Sequence, residues 1–415
     1  MKKPIAVVLG GTMPHVTLVD KLHERGYYVV LVDYLPNPPA KAVAEEHIQA
    51  STLDKERVLE IAKEKRASLV ISTCIDQANS VCCYVAETLG LPRPYSYETS
   101  LYVTNKGLMK SRMEQYDIPS SPYILTTNVD NVNWSKVNFP CVVKPVDCNS
   151  SKGVHRADNI EDAQQFVIEA IRLSQTGEAI IENFCFGDEI QVDCVALDGK
   201  ADVVMSRSKV KKDSRENAVI NSLGSVVPAL VSERLSSELQ RIATNIARGF
   251  NLRNTPFFYQ AIVSGDELNV LEFAPRVGGG LSYYMLKTFV GFDAVEAAVD
   301  SFLGHAIRPT YHALERYYRT CLLYSKPCTF SHIKGLNELK QEGLLKECFI
   351  TKIQGDIIDG DMRSSNRVGA FVVEGVSKED LEHKINTCLK RIEVIDMHGN
   401  NQIISLLTPP PLWRL

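Results

Sequence analysis

The sequence predicts an α/β architecture that passes into an α+β arrangement and ends in a mostly β segment. Three observations predict it. Short apolar runs alternate with helical patterns over about the first hundred residues. Two strand-like runs joined by Gly265-Asp266 follow near the middle. After Pro309, strand patterns dominate to about Val373. Short apolar strands alternating with helices are the pattern of a parallel sheet covered on both faces.

In order along the chain, residues 5–9 read as a buried strand, 16–25 as a helix ended by Gly26, and 28–32 as a second strand closed by Asp33. A helix over 55–64, a strand over 69–72 and a helix over 80–89 complete this part. Pro92-Arg93-Pro94 punctuates the chain, and one helix is expected from about Ser100 to Tyr116. Strands follow at 141–144, 179–183 and 189–196, with a helix over 160–174. A long helix at 235–250 precedes a strand pair at 257–263 and 268–273. A helix over 293–303 and a last one over 378–391 follow, and Pro409-Pro410-Pro411 makes an extended tail.

The 415 residues suggest about two to four compact units. A composition of 45% hydrophobic and 23% charged residues is that of a globular protein. The net charge of −4 gives no electrostatic basis for binding nucleic acid. Lys209 to Lys212 form one short basic run, which reads as a solvated loop more readily than as a phosphate site. No stretch approaches the ~20 apolar residues that span a bilayer, and the apolar run after Met1-Lys2-Lys3-Pro4 is too short for a signal peptide. A cytoplasmic location and no membrane partner are therefore expected. The 11 cysteines show neither CxxC nor zinc spacing, so free, mostly buried thiols are expected.

Five features carry chemistry. Lys106 opens a helical stretch in Thr104-Asn105-Lys106-Gly107. Lys144 ends the apolar strand Phe139-Pro140-Cys141-Val142-Val143-Lys144. A lone ammonium there is costly unless it meets an anion, and a phosphate fits; a lysine that reaches the surface is the alternative. Asp147 to Val154 is a loop of small residues, including Ser150, Ser151 and Gly153, whose backbone N–H groups can approach phosphate oxygens. Glu182-Asn183-Phe184 ends another apolar strand and can seat a flat base, while Glu189 can accept hydrogen bonds from ribose hydroxyls. Glu272-Phe273-Ala274-Pro275-Arg276-Val277-Gly278-Gly279-Gly280 ends a strand. There Glu272 can hold Mg²⁺ and Arg276 can clamp a phosphoryl or carboxylate group.

In this order the five features resemble the ATP-grasp superfamily. It includes biotin carboxylase, carbamoyl phosphate synthetase, D-alanine–D-alanine ligase, purine-biosynthesis ligases and stand-alone L-amino-acid ligases. The resemblance covers about residues 1–375. It implies an ATP-grasp fold with a parallel-sheet pre-ATP-grasp domain at 1–99. An ATP-grasp domain would follow at 100–307, with a flap subdomain at about 115–183 and a central subdomain at about 184–307, and then a C-terminal domain at 308–415. It implies ATP and Mg²⁺ as cofactors, small-molecule carboxylate and amine substrates, and a homodimer.

Roles carry over by position. Lys106 and Lys144 would touch ATP phosphates, with Lys144 also catalytic. Residues 148–153 would cover the phosphates. Glu182, Asn183 and Phe184 would flank adenine, largely through backbone, and Glu189 would bind ribose. Glu272 would hold Mg²⁺, and Arg276 would steady the transferring group. Arg367, in Arg363-Ser364-Ser365-Asn366-Arg367-Val368-Gly369, would reach the site from the C-terminal domain.

The chain departs from the family at two positions. Gln260 stands where an acid is usual, and Ala274 where Asn is common. Gln260 is thus a weak second metal ligand beside Glu272. His305 reads as a helix-end residue, and Tyr283-Tyr284 as either pocket or core. The function implied is an ATP- and Mg²⁺-dependent ligase that activates a carboxylate as an acyl phosphate for attack by an amine. One alternative is a purine-pathway-like carboxylase or formyl-transfer enzyme. Another, of a different class, is an ATP-binding protein that has lost catalysis.

Overall fold

The computed structural model describes residues 3–148, 152–211, 222–229, 231–360, 362 and 366–404. Ser150, Ser151, Lys212, the run 363–365 and the tail at Pro409–Pro411 lie outside the described residues. The chain forms two units. One comprises Met1–Gly187, Val192–Met205 and Ser232–Ala313; the other comprises Asp188–Gln191, Ser206–Val231 and Leu314–Leu415.

In the first unit, the strands Glu46–Gln49, Tyr28–Asp33, Ile5–Leu9 and Leu69–Ser72 lie side by side in that order, all parallel. Ala6 to Leu9, Val29 to Val32 and Leu69 to Ile71 are fully buried, which explains their unbroken apolar runs. Helices Met13–Glu24 and Lys55–Lys65 supply crossovers, and helix Asp76–Leu89 follows the last strand. The core is completed from far along the chain: Val295, Val299 and Phe302 of helix Ala294–Leu303 belong to the same buried cluster.

A second sheet in this unit runs Tyr123–Thr126, Ala179–Asn183, Cys141–Pro145, His155–Ala157. Its neighbours are antiparallel. Cys141, Val143, Ala179 and Ile181 face a core closed by Ala163, Val167 and Ala170 of helix Ile160–Leu173. The alternate residue Lys144 consequently leaves the opposite face. The unit also holds helix Glu233–Gly249 and the hairpin Asn254–Ser264 with Glu267–Ala274.

The single helix expected over 100–116 is two helices, Tyr97–Thr104 and Lys106–Gln115. Asn105 between them is extended (φ −122°, ψ 114°), and its side chain accepts from Leu108 N–H as the N-cap of the second helix. A cap was missed because both flanking segments are helical. The helix Ser282–Val290 was also unforeseen.

In the second unit, Ser222–Val227 pairs with the end of strand Lys200–Lys211 and with Tyr317–Leu323. Gly369–Gly375 and Glu347–Ile350 extend this antiparallel array. Helix Lys378–Arg391 contributes Leu381, Ile385 and Cys388 to the unit's apolar core. The mostly β expectation for the C-terminal part is met. Lys209 and Lys211 lie on a strand rather than in a solvated loop, so that reading is corrected. Their alternation with Ser208 and Val210 is a strand with one polar face.

All 11 cysteines are free thiols. Among the described residues, no helix is long and apolar enough to cross a membrane.

Candidate functional site

Lys144 meets its anion inside the protein. Strand Cys141–Pro145 pairs with Ala179–Asn183, and Lys144 Nζ donates to Glu182 Oε1 at 2.8 Å. The other oxygen of Glu182 lies 3.1 Å from Lys110 Nζ, and it also accepts from Ser121 Oγ at 3.0 Å. The Glu182 and Lys110 side chains are 3% and 1% exposed, so this carboxylate is a buried anion between two cations. Burial alone would raise the Glu182 pKa, but Lys144 and Lys110 more than offset it and hold it at about 2.

Lys106 is the first residue of its helix because Asn105 caps it. Its backbone N–H donates to Val146 O at 2.8 Å, and its Nζ donates to Cys148 O at 2.5 Å. Its pKa is lowered, first by burial and then by Lys144, against the opposing pull of Glu272 and Glu182. The structure thus brings Lys106, Lys144, Glu182 and Glu272 into one electrostatic neighbourhood.

Arg276 joins it. Its Nε and Nη2 donate to Asp76 Oδ1 and Oδ2, both at 2.6 Å, and its Nη1 donates to Val277 O at 3.0 Å. Burial works against its charge, but Asp76, with smaller help from Cys74 and Glu272, raises its pKa. Beside this pair, Cys74 has a left-handed backbone (φ 66°) and its Sγ donates to Gly278 O at 3.4 Å. A non-glycine residue held there is strained, and such strain gathers at functional sites.

Gln260 lies directly opposite Glu272 in the hairpin, beside a register shift between Gln260 and Ala261. Directly paired residues present side chains on one face about 5 Å apart. Glu272 is exposed, and no group of three or more His, Cys, Asp or Glu that could hold a metal occurs among the described residues. One carboxylate and one amide oxygen fit a Mg²⁺ that keeps most of its ligands from phosphate and water, and not an all-protein cage.

The proposed adenine segment is partly committed. The N–H groups of Asn183 and Phe184 donate to Pro122 O and Pro140 O at 3.1 and 3.2 Å. Any base-reading donor on this segment therefore lies beyond Phe184. The Phe184 ring packs edge-on to Phe186, with Arg156 Cζ 4.8 Å from its centroid. Gly153 adopts φ +69°, and a Cβ there would come within 2.6 Å of Leu173 Cδ1.

Glu189 and Arg367 belong to the second unit. Glu189 is paired with Lys209 and Lys211, which hold its pKa down against burial. Arg367 Nε donates to Tyr324 Oη at 3.0 Å. His305 follows Gly304 at a helix end, as read from sequence.

Sequence reasoning missed Asp76, Lys110, Lys209 and Lys211 as partners of the site residues. Asp76 lies before the helix expected over 80–89, and Lys110 lies within a stretch read only as helix. Their partners lie too far along the chain to be paired by spacing.

Residues 137–284 match the model of the ATP-grasp domain. A formate-dependent phosphoribosylglycinamide formyltransferase from Tolumonas auensis is 26% identical over 282 residues, 65% of this chain and 68% of that protein. The chain spans about two thirds of the length of such relatives. An L-amino acid ligase from Bacillus licheniformis superposes with a TM-score of 0.79 at 19% identity, over 96% of this chain and 100% of that one. A phosphoribosylglycinamide synthetase from Anaerococcus prevotii gives a TM-score of 0.74 at 15% identity, over 95% and 100%. Residues 137–284 thus match an ATP-grasp domain, and the chain has the ATP-grasp fold.

Proposed function

We propose that the protein is an ATP- and Mg²⁺-dependent ligase that activates a small carboxylate as an acyl phosphate for attack by an amine, releasing ADP and phosphate. The observation that carries this reading is the shared neighbourhood of Lys106, Lys144, Glu182, Glu272 and Arg276. It holds two ammonium groups, an exposed carboxylate and a fixed guanidinium, and no nucleophile–base pair is needed.

ATP, when bound, supplies the phosphoryl group that turns a carboxylate oxygen into a phosphate leaving group. Lys144 and Lys106 neutralise phosphate oxygens. Glu272, with the Gln260 carbonyl opposite, holds Mg²⁺. Arg276, its Nε and Nη2 anchored on Asp76, turns its remaining N–H groups to the carboxylate or the transferring phosphoryl group. The chain's contribution is placement and charge neutralisation. Ser150, Ser151 and Gly153 belong to the loop assigned to the phosphates, Asn183 and Phe184 to the adenine side, and Glu189 to the ribose. Arg367 is assigned to the same reaction. The domain reading of 1–99, 100–307 and 308–415 is retained as part of this proposal. Its last boundary is supported by the passage between units at Ala313 and Leu314.

A second reading is favoured by the curated relatives, which are named as formate-dependent formyltransferases. In it the carboxylate is formate and the amine belongs to a phosphoribosyl compound.

The test is ADP release with Mg²⁺-ATP against separate pools of amino acids, formate and other small carboxylates, each with and without amine acceptors. Release that requires one pool establishes the ligase and its substrate class. Release with formate alone selects the second reading. ATP binding without release from any pool favours a binding protein that has lost catalysis, as Gln260 and Ala274 suggest.

A further inference from the structure

The carboxylate of Glu182 is shared. Lys144 approaches one oxygen at 2.8 Å, and Lys110 approaches the other at 3.1 Å. The two lysines differ in what else they can reach. Lys110 is 1% exposed, and its Nζ is held by Ser121 Oγ at 3.0 Å and Ser121 O at 3.3 Å, with the Tyr123 ring 5.9 Å away. The Lys144 side chain is 13% exposed and leaves the sheet on the face opposite the apolar core. One cation is fixed, and the other can turn toward the solvent side.

A buried carboxylate stripped of its last cation is strongly destabilising, because its charge is left uncompensated. With Lys144 as sole partner, Glu182 would therefore hold it against any competing anion. With Lys110 in place, the carboxylate keeps a counter-charge when Lys144 leaves.

We propose that Lys110 is a positioning residue for nucleotide binding: it keeps Glu182 neutralised, so that Lys144 can pass from Glu182 to a phosphate of the bound nucleotide. This rests on the reading of Lys144 as a phosphate ligand. Lys110 itself touches no nucleotide. Its effect falls on polyphosphate recognition and not on the base or the sugar.

The experiment measures Mg²⁺-ATP and adenosine binding by titration calorimetry for the intact protein, Lys110→Gln, Lys110→Arg and Lys110→Gln/Glu182→Gln. Lys110→Gln keeps a hydrogen bond to Ser121 and loses the charge. It is expected to weaken ATP binding about tenfold, the scale of one charge-assisted hydrogen bond, with adenosine binding little changed. Lys110→Arg keeps the charge and should bind ATP within about threefold of the intact protein. The double variant has no anion to retain Lys144 and should bind ATP more tightly than Lys110→Gln alone.

Equal loss of ATP and adenosine affinity in Lys110→Gln would show a structural role only and overturn the proposal. So would unchanged ATP affinity, or a double variant no tighter than the single one. Should Lys110→Gln not fold, the double variant decides: its folding and binding ATP support the proposal, and its failure to fold makes Lys110 structural. If the intact protein binds no Mg²⁺-ATP, the ligase reading falls and takes this inference with it. If the intact protein binds and Lys110→Gln binds equally, only this inference falls.

Discussion

Arg276 and Asp76 meet edge to edge, Nε on Oδ1 and Nη2 on Oδ2 at 2.6 Å each, across 200 residues of chain. The pair fixes the plane of the guanidinium, which a single contact would leave free to turn. It also ties the beginning of helix Asp76–Leu89 to the residues just past strand Glu267–Ala274.

Asp76→Asn should therefore lower activity through Arg276 and destabilise the fold. The side chains are 12% and 23% exposed, so the cost is placed at about 2–4 kcal/mol, near the lower end for a broken buried pair. Urea unfolding at neutral pH gives the stability change. ADP release gives the activity, expected to fall at least tenfold even at saturating ATP. A variant with full activity would remove Asp76 as the residue that orients Arg276.

Lys144→Ala should abolish ATP-dependent turnover, a loss of about 100-fold or more, the scale of removing one preorganised charge at a reacting group. The fold should survive, because Glu182 keeps Lys110 and Ser121 as partners. Circular dichroism and a thermal melt separate the two effects.

Glu272→Ala should lose turnover with stability unchanged within about 0.5 kcal/mol, since the side chain is exposed. Gln260→Glu should act in the opposite direction. A second carboxylate opposite Glu272 should lower the Mg²⁺ concentration that gives half-maximal ADP release. No change in the Mg²⁺ dependence of either variant would move the metal away from this hairpin.

His15 is fully buried, and burial drives its pKa from 6.5 down to about 4, with a backbone hydrogen bond to Leu9 opposing weakly. The folded protein holds it neutral where the unfolded chain takes up a proton. Its contribution is thus complete above about pH 6.5 and is lost as pH falls toward 4, roughly 3 kcal/mol in all. Glu182, its pKa lowered from 4.5 to about 2, adds a further loss as pH falls through that interval. His15→Gln should flatten the decline between pH 6.5 and 4 in urea midpoints while leaving the more acid limb in place.

Much of the site was legible because its residues end strands. Lys144 interrupts an apolar run, and Glu182 and Glu272 do the same on their own strands, so each stood out against a buried neighbourhood. Three strands of the first parallel sheet were legible for a similar reason, being apolar on both faces, whereas the polar strand Glu46–Gln49 was not. The partners were not legible. Lys110 lies in a short helix whose polar residues look like any solvated face, and only the fold shows that this face closes on Glu182. Lys209 and Lys211 looked like a loop because the apolar residues of their strand, Ala201, Val203, Val204 and Met205, are followed by Ser206, Arg207 and Ser208 before them. Asn105 was passed over because helical patterns flank it on both sides, whereas its side chain forms a cap to Leu108 N–H.

The helix Ala294–Leu303 closes the core of a sheet that is finished by Ser72. That has a consequence for how the chain is made. At ~5–20 residues per second, about 10–40 s separate synthesis of the last strand of that sheet from synthesis of the helix that covers it. Through that interval Val295, Val299 and Phe302 are missing from the cluster, and Asp76 waits as long for Arg276. The nascent chain therefore carries an uncovered apolar sheet face while the ribosome finishes the middle of the protein, which makes this stretch of synthesis the time when chaperones would have the most to hold.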